Sequence, residues 1–357
     1  FIIYIINIMI FTNIRLQNFR SYNDDSFEIG SGVNVVVGPN GAGKTNLLEA
    51  LMVIASGKSY RAKDQALVMR SKDWSRLDVY SEDNKNRVVK ITNENFVNKV
   101  FEIDGKVYKK LPKDYIQPVV LFEPDDLYLL SSEPANRRDF LDNIIEKYNQ
   151  NYYKIRQDYR RVVAQRNALL KQNSDSSEMF AWNVRMSNLA STVVEARTKL
   201  IYEFNQKISD IYSFIADKPT SICLVYKTKT PLTSYASALV GQLEEQLNID
   251  KIRGYTSRGP HRDDIEFFND EAIFSDVASR GENRTLMLAL KIIELQILEA
   301  KTGKRPLLLL DDVFSELDGS RRKSLTNYLK DYQTIITTTD ADIIMKNFTK
   351  STSTILL

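Results

Sequence analysis

The pattern of apolar and polar positions divides the chain into a strand-rich opening, a helical middle and a mixed close. Residues 10–19 read as a strand, and residues 33–37 as a second, buried strand built on β-branched side chains. A helical pattern follows over 46–55, and then three β-rich runs at 76–81, 87–93 and 97–103. Asp104-Gly105 supplies the positive φ angles of a tight turn, so Phe101-Glu102-Ile103 and Lys106-Val107-Tyr108 are expected to pair as a hairpin.

Beyond Pro134 the period changes. Phe140, Leu141, Ile144, Ile145 and Tyr148 recur at three- and four-residue spacing, and the helical stretch continues to about Gln172. Small polar residues over 173–178 interrupt it. A second helical run carries Trp182, Met186, Leu189, Val193, Leu200, Phe204, Ile208, Ile211 and Ile215, so the two runs are expected to form an antiparallel helical hairpin, an arm inserted into the rest. After a less legible stretch that includes 243–249, the pattern resumes near Arg258 with a helix over 292–300 and buried strands at 307–310 and 334–336. The expected division is 9–130, an inserted helical arm over 131–250, and 251–357. There is no sequence repeat and no long low-complexity segment.

Composition narrows the class. At 357 residues the chain is longer than the roughly 250 to 300 at which single cores stop growing, which suits one large core plus an appendage. Apolar residues at 43% and charged residues at 27% describe a globular chain, not a disordered one. The lone Cys223 excludes an internal disulfide, and one cysteine with the lone His261 cannot build a Cys/His zinc site, which points to a cytoplasmic location. A formal net charge of +3 gives no global field for nucleic acid, so any such contact must be local. Phe1 to Ile8 is a short apolar run before Met9, which is expected to be the true start. It lacks the basic leader and cleavage site of a secretory signal.

Gly38-Pro39-Asn40-Gly41-Ala42-Gly43-Lys44-Thr45 follows a buried strand and opens a helix, the context a phosphate-binding P-loop requires. Glycines let backbone N–H groups turn inward around phosphates. Lys44 offers a charge to the β and γ groups of ATP, and the Thr45 hydroxyl suits Mg²⁺. Leu307-Leu308-Leu309-Leu310-Asp311-Asp312 is an apolar strand ending in two carboxylates, as expected of a Walker B segment beside the P-loop in a parallel sheet. Asp311 would hold Mg²⁺ through water. Asp312 stands where a carboxylate polarises the attacking water.

Ser279-Arg280-Gly281-Glu282-Asn283-Arg284 opens a helix through Leu286, Leu290 and Ile293, upstream of Walker B, and Ser315-Glu316-Leu317-Asp318 follows it. Signature, Walker B and D-loop in this order resemble an ABC-type ATPase head, which implies an α/β fold with a P-loop parallel sheet, an antiparallel β subdomain and an inserted helical arm. Asn18-Phe19-Arg20-Ser21-Tyr22, Phe122-Glu123-Pro124-Asp125-Asp126-Leu127, Arg137-Arg138-Asp139-Phe140-Leu141-Asp142, Gly259-Pro260-His261-Arg262-Asp263-Asp264 and the pair Asp311-Asp312 narrow the resemblance to the RecF family of the SMC-like group, from Met9 to about Asp340.

That resemblance implies a dimer in which Ser279 and Gly281 of one subunit cap the γ-phosphate held by Lys44 of the other, with Asp312, Lys44 and Ser279 catalytic. Arg20 joins the nucleotide contacts by the same resemblance, and so does Gln117, although it lies a few residues before the usual place of a Q-loop glutamine. Glu282 departs from the usual glutamine, and a carboxylate near phosphate repels. Thr337, Thr338 and Thr339 stand where transporter ATPases place a switch histidine, and a threonine still hydrogen-bonds phosphate.

The implied activity is a weak DNA-dependent ATPase in recombinational repair. It would bind double-stranded DNA and single/double-strand junctions as an ATP-induced dimer, and support RecR and RecO in loading RecA, with no membrane partner. The competing class is an SMC-like chromosome-bridging ATPase, which needs a far longer coiled coil. A transporter ATPase is disfavoured by the helical arm between Lys44 and Asp311. Arg137, Arg138, Arg156, Arg160, Arg161 and Arg166, with Tyr152, Tyr153 and Tyr159 interleaved, form the densest arginine cluster and are a candidate DNA contact, although most charge runs are solvated helix faces. His261 could serve as a general base, but a packed, hydrogen-bonded role is the more common one.

Overall fold

The computed structural model describes residues 9–82, 86–172, 176–339 and 352–357. The expectation about residues 1–8 falls outside them. In chain order come β1 (Phe11–Phe19), β2 (Tyr22–Glu28), β3 (Val33–Val37), α1 (Lys44–Ser56), β4 (Trp74–Ser81), β5 (Asn86–Asn93), β6 (Val97–Ile103), β7 (Lys106–Tyr108) and β8 (Val119–Phe122). Next are α2 (Pro134–Tyr148), α3 (Gln150–Gln172), α4 (Ser176–Asn205), α5 (Ile208–Ala216), β9 (Ile222–Lys227), α6 (Tyr235–Glu245), α7 (Leu247–Arg253), β10 (Asp264–Asn269), β11 (Ala272–Ile273), α8 (Phe274–Val277) and α9 (Arg280–Thr302). The chain closes with β12 (Leu307–Asp311), α10 (Gly319–Leu329), β13 (Thr334–Thr338) and β14 (Thr352–Leu356).

The described residues form two compact units, one from within Phe1–Leu127 and Glu294–Leu357 and one from within Tyr128–Ile293. The first holds a five-stranded sheet in the order β14-β3-β13-β12-β8, parallel throughout, and a six-stranded antiparallel sheet in the order β2-β1-β4-β5-β6-β7. Their shared core runs from Ile14, Leu16 and Phe19 through Leu47 to Ala55 and on to Leu309 and Ile335. Helix α1 is buried on nearly every side, which explains why Leu47-Leu48 and Ala50 to Ala55 are apolar without a polar stripe. The expected hairpin is present: Asp104 and Gly105 have φ of 49° and 77° and join β6 to β7.

The parallel sheet departs from expectation in one respect. Walker B strand β12 does not adjoin P-loop strand β3, because β13 lies between them and pairs with both. In parallel α/β sheets the loops at the carboxyl ends of the strands form the binding crevice, and both motifs leave their strands at that edge.

The second unit contains the helical hairpin, α3 against α4, together with α2, α5 to α8, α9 as far as Ile293 and the antiparallel sheet β11-β10-β9. Each expected helical run is two helices. Asn149, at φ −126° and ψ 92°, ends α2, and the chain re-enters a helix at Gln150; Lys207, at φ −132°, separates α4 from α5. Among the described residues no helix is long and apolar enough to cross a membrane.

Candidate nucleotide site

Gly38 to Thr45 link β3 to α1 as expected. Gly43 has φ 108°, and a Cβ there would meet Tyr22 Oη at 2.9 Å and Ser21 Oγ at 3.0 Å, so only glycine fits. The Tyr22 hydroxyl donates to the Gly43 carbonyl at 3.0 Å, pinning the turn. Burial pushes the Tyr22 hydroxyl pKa upward, so it stays a donor. Gly41 also has positive φ, 86°, with open space around it. Lys44 is 6% exposed and folds its ammonium back onto the carbonyls of Gly38 and Pro39 at 2.8 and 3.1 Å, inside the loop's own cradle.

Thr45 Oγ1 donates to Asp311 Oδ1 at 3.2 Å, so residues far apart in sequence meet at the sheet edge. Thr337, from the intervening β13 and in register with Asp311, donates to the same oxygen at 2.7 Å. Its Oγ1 also accepts the Asp312 N–H at 2.9 Å. Asp312 has φ 53°, a left-handed conformation that ends the strand and costs about 1 kcal/mol or more for a non-glycine residue. Thr45 and Asp311 together offer hard oxygen ligands side by side, the donor chemistry that Mg²⁺ prefers.

Arg20 lies beside α1. It also has positive φ, 53°, and its guanidinium grips the buried Glu49 carboxylate twice, at 2.8 and 2.9 Å. Arg61 bonds the same carboxylate at 2.9 Å and Asn46 Oδ1 at 2.6 Å, and the Ser59 hydroxyl donates to Glu49 at 2.6 Å. Burial works against this carboxylate, but the two guanidiniums and the hydroxyl prevail and hold its pKa below the usual range. The Arg20–Glu49–Arg61 group is not legible in the sequence. Its one visible signal is an acid inside the apolar run of α1. The Tyr60 hydroxyl is buried without a hydrogen-bond partner among the described residues. Its pKa is raised by burial, with Asp311 and Glu123 among the negative charges around it. Glu123 follows Phe122, the register partner of Leu310, and so stands at the same sheet edge as Asp311.

Gln117 is not at this site, which corrects its expected role. It precedes β8, at the opposite end of the strand from Glu123, and its Nε2 donates to the Arg305 carbonyl while its N–H bonds Ala55 O. Thr338 lends its carbonyl to the Gly38 N–H at 3.4 Å, and Thr339 is exposed. The side chains of Ser315 and Glu316 lie outside the described residues, while Asp318 caps α10 by accepting from Arg321 N at 3.0 Å.

Ser279 and Gly281 belong to the second unit, where Ser279 caps α9. Its N–H and its hydroxyl both donate to Glu282 Oε2 at 2.8 Å, and Glu282 N donates back to Ser279 Oγ at 3.3 Å. This is a capping box, and it gives the acid that replaces glutamine a structural task.

The arginine cluster is mostly spent inside the second unit, which corrects its reading as a DNA contact. Arg137 pairs with Asp264 at 2.7 Å, Arg138 donates to the Asp263 carbonyl at 2.6 Å, and Arg156 is ringed by Asp139, Asp142 and Glu146. Arg166 is fully buried against Asp250, Asn183 and Thr256. Only Arg160 and Arg161 of the six are exposed, and even these lie within 3.4 Å of Asp139 and 3.2 Å of Asp158. His261 has the structural role: its Nδ1 meets Tyr159 Oη at 2.6 Å and its Nε2 meets the Thr256 carbonyl at 3.2 Å. Burial lowers its pKa to about 4, with Arg262 and Arg138 adding repulsion, so it is neutral at physiological pH.

A parallel sheet carrying a P-loop, a Walker B carboxylate facing its threonine and a capped signature helix define an ABC-type ATPase head of the kind found in SMC proteins. Residues 10–355 match the family described as RecF/RecN/SMC N terminal domain. The chain is 33% identical over 349 residues to a DNA replication and repair protein RecF of Clostridium novyi, covering 93% of each, and 34% identical over 335 residues to that of Clostridium beijerinckii, covering 91% of this chain and 90% of the other. A solved structure of the recombination mediator protein RecF-ATPrS in the RecFOR pathway superposes with a TM-score of 0.83 at 27% identity over 94% of both chains. An Smc head bound to the C-winged helix domain of ScpA shares the fold, with a TM-score of 0.54 at 15% identity over 95% of this chain and 92% of that one. The chain belongs to the RecF family of DNA replication and repair proteins.

Proposed function

We propose that the protein is an ATP-dependent DNA clamp of recombinational repair, a weak ATPase whose dimer closes on double-stranded DNA and on single/double-strand junctions. Gly38 to Thr45 cradle the triphosphate, with Lys44 unfolding from the Gly38 and Pro39 carbonyls toward the β and γ groups. Thr45 and Asp311 hold Mg²⁺, which supplies charge neutralisation at the phosphates when bound. Asp312 orients the attacking water, and Asp is one methylene shorter than the glutamate common in ABC ATPases, so hydrolysis is slow and times DNA release. Ser279 and Gly281 of a second copy seal the γ-phosphate, and the Arg20–Glu49–Arg61 group, two cations around one carboxylate, leaves a net positive charge beside the loop. Partners follow from the family: RecR and RecO, for loading RecA.

The observation that carries this reading is the meeting of Thr45, Asp311 and Thr337 at the carboxyl edge of the sheet, in a chain whose solved relatives include ATP-bound RecF. The test is sedimentation with Mg²⁺ and a non-hydrolysable ATP analogue. Saturation is expected to convert monomer to dimer, and Lys44→Ala is expected to stay monomeric. A wild-type chain that remains monomeric when saturated overturns the reading.

A further inference from the structure

We propose that residues 248–262 of the second unit form a contact surface for the phosphate backbone of double-stranded DNA, with Ile252 entering a groove; this rests on the clamp reading above. The segment comprises α7 and the turn after it, anchored from beneath. Arg166 Nη1 reaches Asp250 Oδ2 and Thr256 Oγ1, both at 2.8 Å. Ser257 N donates to Asp250 Oδ1 at 3.1 Å, and Asn167 Oδ1 accepts from Thr256 N and Oγ1 at 2.7 Å.

That anchoring uses the only carboxylate between Asn248 and Arg262, since Asp250 is wholly buried. The next two acids are also engaged, Asp263 by the Tyr226 hydroxyl at 2.9 Å and Asp264 by Arg137. The exposed Glu244 and Glu245 belong to the preceding helix α6. The charge that this segment turns to solvent is basic. Arg253 and Arg262 are exposed and Arg258 is half-buried, and the exposed Lys171 borders the segment, its Cγ lying 3.5 Å from where a Cβ on Gly254 would be. Among the described residues the side chains of Lys171, Arg253 and Arg258 make no ion pair or hydrogen bond. This is the reverse of the Arg137 to Arg166 cluster, whose charges are mostly met internally. Cations without internal partners on a pinned backbone fit a polyanion.

The apolar side chains select the form of nucleic acid. Ile252 is 88% exposed and sits between Lys251 and Arg253. An aliphatic wedge flanked by cations suits a groove with phosphates on either side. Single-strand surfaces depend instead on open aromatic platforms. Tyr255 is 41% exposed, but one face of its ring is taken by the Arg262 guanidinium, 4.7 Å from the ring centre.

The experiment is fluorescence anisotropy of the full chain on a short duplex, with Mg²⁺ and a non-hydrolysable ATP analogue, across a salt series. Arg253→Ala with Arg258→Ala is expected to weaken binding about tenfold and to flatten the log–log salt slope by about 2. Ile252→Ala is expected to weaken binding with the slope unchanged, and Arg160→Ala with Arg161→Ala to change neither. Arg253→Gln with Arg258→Gln, close in size, gives the same readout if the alanine pair lowers the melting temperature. A wild-type chain that binds while the double variants keep its affinity and slope overturns the proposal, as does a single strand of the same length that competes better than duplex. Failure of the wild type to bind duplex at all defeats the clamp reading itself, and this surface with it.

Discussion

The Thr337 hydroxyl donates to Asp311 Oδ1 at 2.7 Å and accepts the Asp312 N–H at 2.9 Å, so one hydroxyl ties the Asp311 carboxylate to the Asp312 backbone. Thr337→Val keeps the volume but removes the donor and leaves a half-buried N–H unpaired, at a cost of about 1 to 3 kcal/mol. Outer partners that orient metal ligands typically carry a tenfold or larger share of affinity or activity, so ATP hydrolysis should fall by about tenfold or more, with a matching loss of Mg²⁺ affinity measured by titration in the presence of nucleotide. Unchanged turnover would remove Thr337 from the site. Lys44, Thr45 and Asp311 were legible because each belongs to a contiguous motif whose chemistry is local. Thr337 is legible as a phosphate ligand, but its actual partner depends on β13 lying between β3 and β12, which no local pattern reveals. Glu49 meets Arg20 and Arg61 across 29 and 12 positions, and pairings at such separations leave no periodic signature.

At the scale of elements, the tip of the α3–α4 hairpin is fastened to α7 by Arg166, a guanidinium with no exposure whose partners are Asp250, Asn183, Thr256 and the Leu243 carbonyl. Burial pushes the Arg166 pKa down, and the Asp250 carboxylate opposes that. Asp250→Asn would leave a buried cation uncompensated and is expected to destabilise the protein by about 3 kcal/mol in urea unfolding, whereas adding Arg166→Met to it should recover part of the loss, because the unpaired charge is gone although Asn183 and the Leu243 carbonyl lose their partner. Equal stability of Asp250→Asn and wild type would mean that the pair does not hold the tip. The hairpin was readable because long helices repeat their burial period many times. Shorter or mixed pieces were not. Strand β8 has four residues, too few to tell strand from helix, and its absence from the sequence reading is why Gln117 was placed at the wrong end of it. Strand β2 reads Tyr-Asn-Asp-Asp-Ser-Phe-Glu because it is a sheet edge that faces water, where acidic side chains discourage further pairing.

Across the whole molecule, the buried ionisable groups predict how the fold responds to acid, and their signs differ. Glu49 in the first unit and Asp142 in the second have folded pKa values below the usual carboxylate range. Burial works against both, and their arginine partners overcome it. Their stabilisation is complete above the ordinary carboxylate range and is lost only as pH falls through the lowered folded values. Asp263 runs the other way: burial raises its pKa, so falling pH relieves a charge held at some cost. His261 is depressed from 6.5 to about 4, so the unfolded chain binds its proton first; its contribution is full above about pH 6.5 and disappears as pH falls toward 4. Between pH 7 and pH 5 this one imidazole is the source of acid sensitivity among these groups, with a loss of about 2 kcal/mol. His261→Gln, neutral throughout, is expected to be less stable than wild type at pH 7, where it forfeits the bond from the Tyr159 hydroxyl, and to lose less on going to pH 5. Melting temperatures at the two pH values should therefore converge. Parallel pH dependence of wild type and variant would place the acid sensitivity elsewhere, and a steeper fall in the variant would reverse the assigned sign.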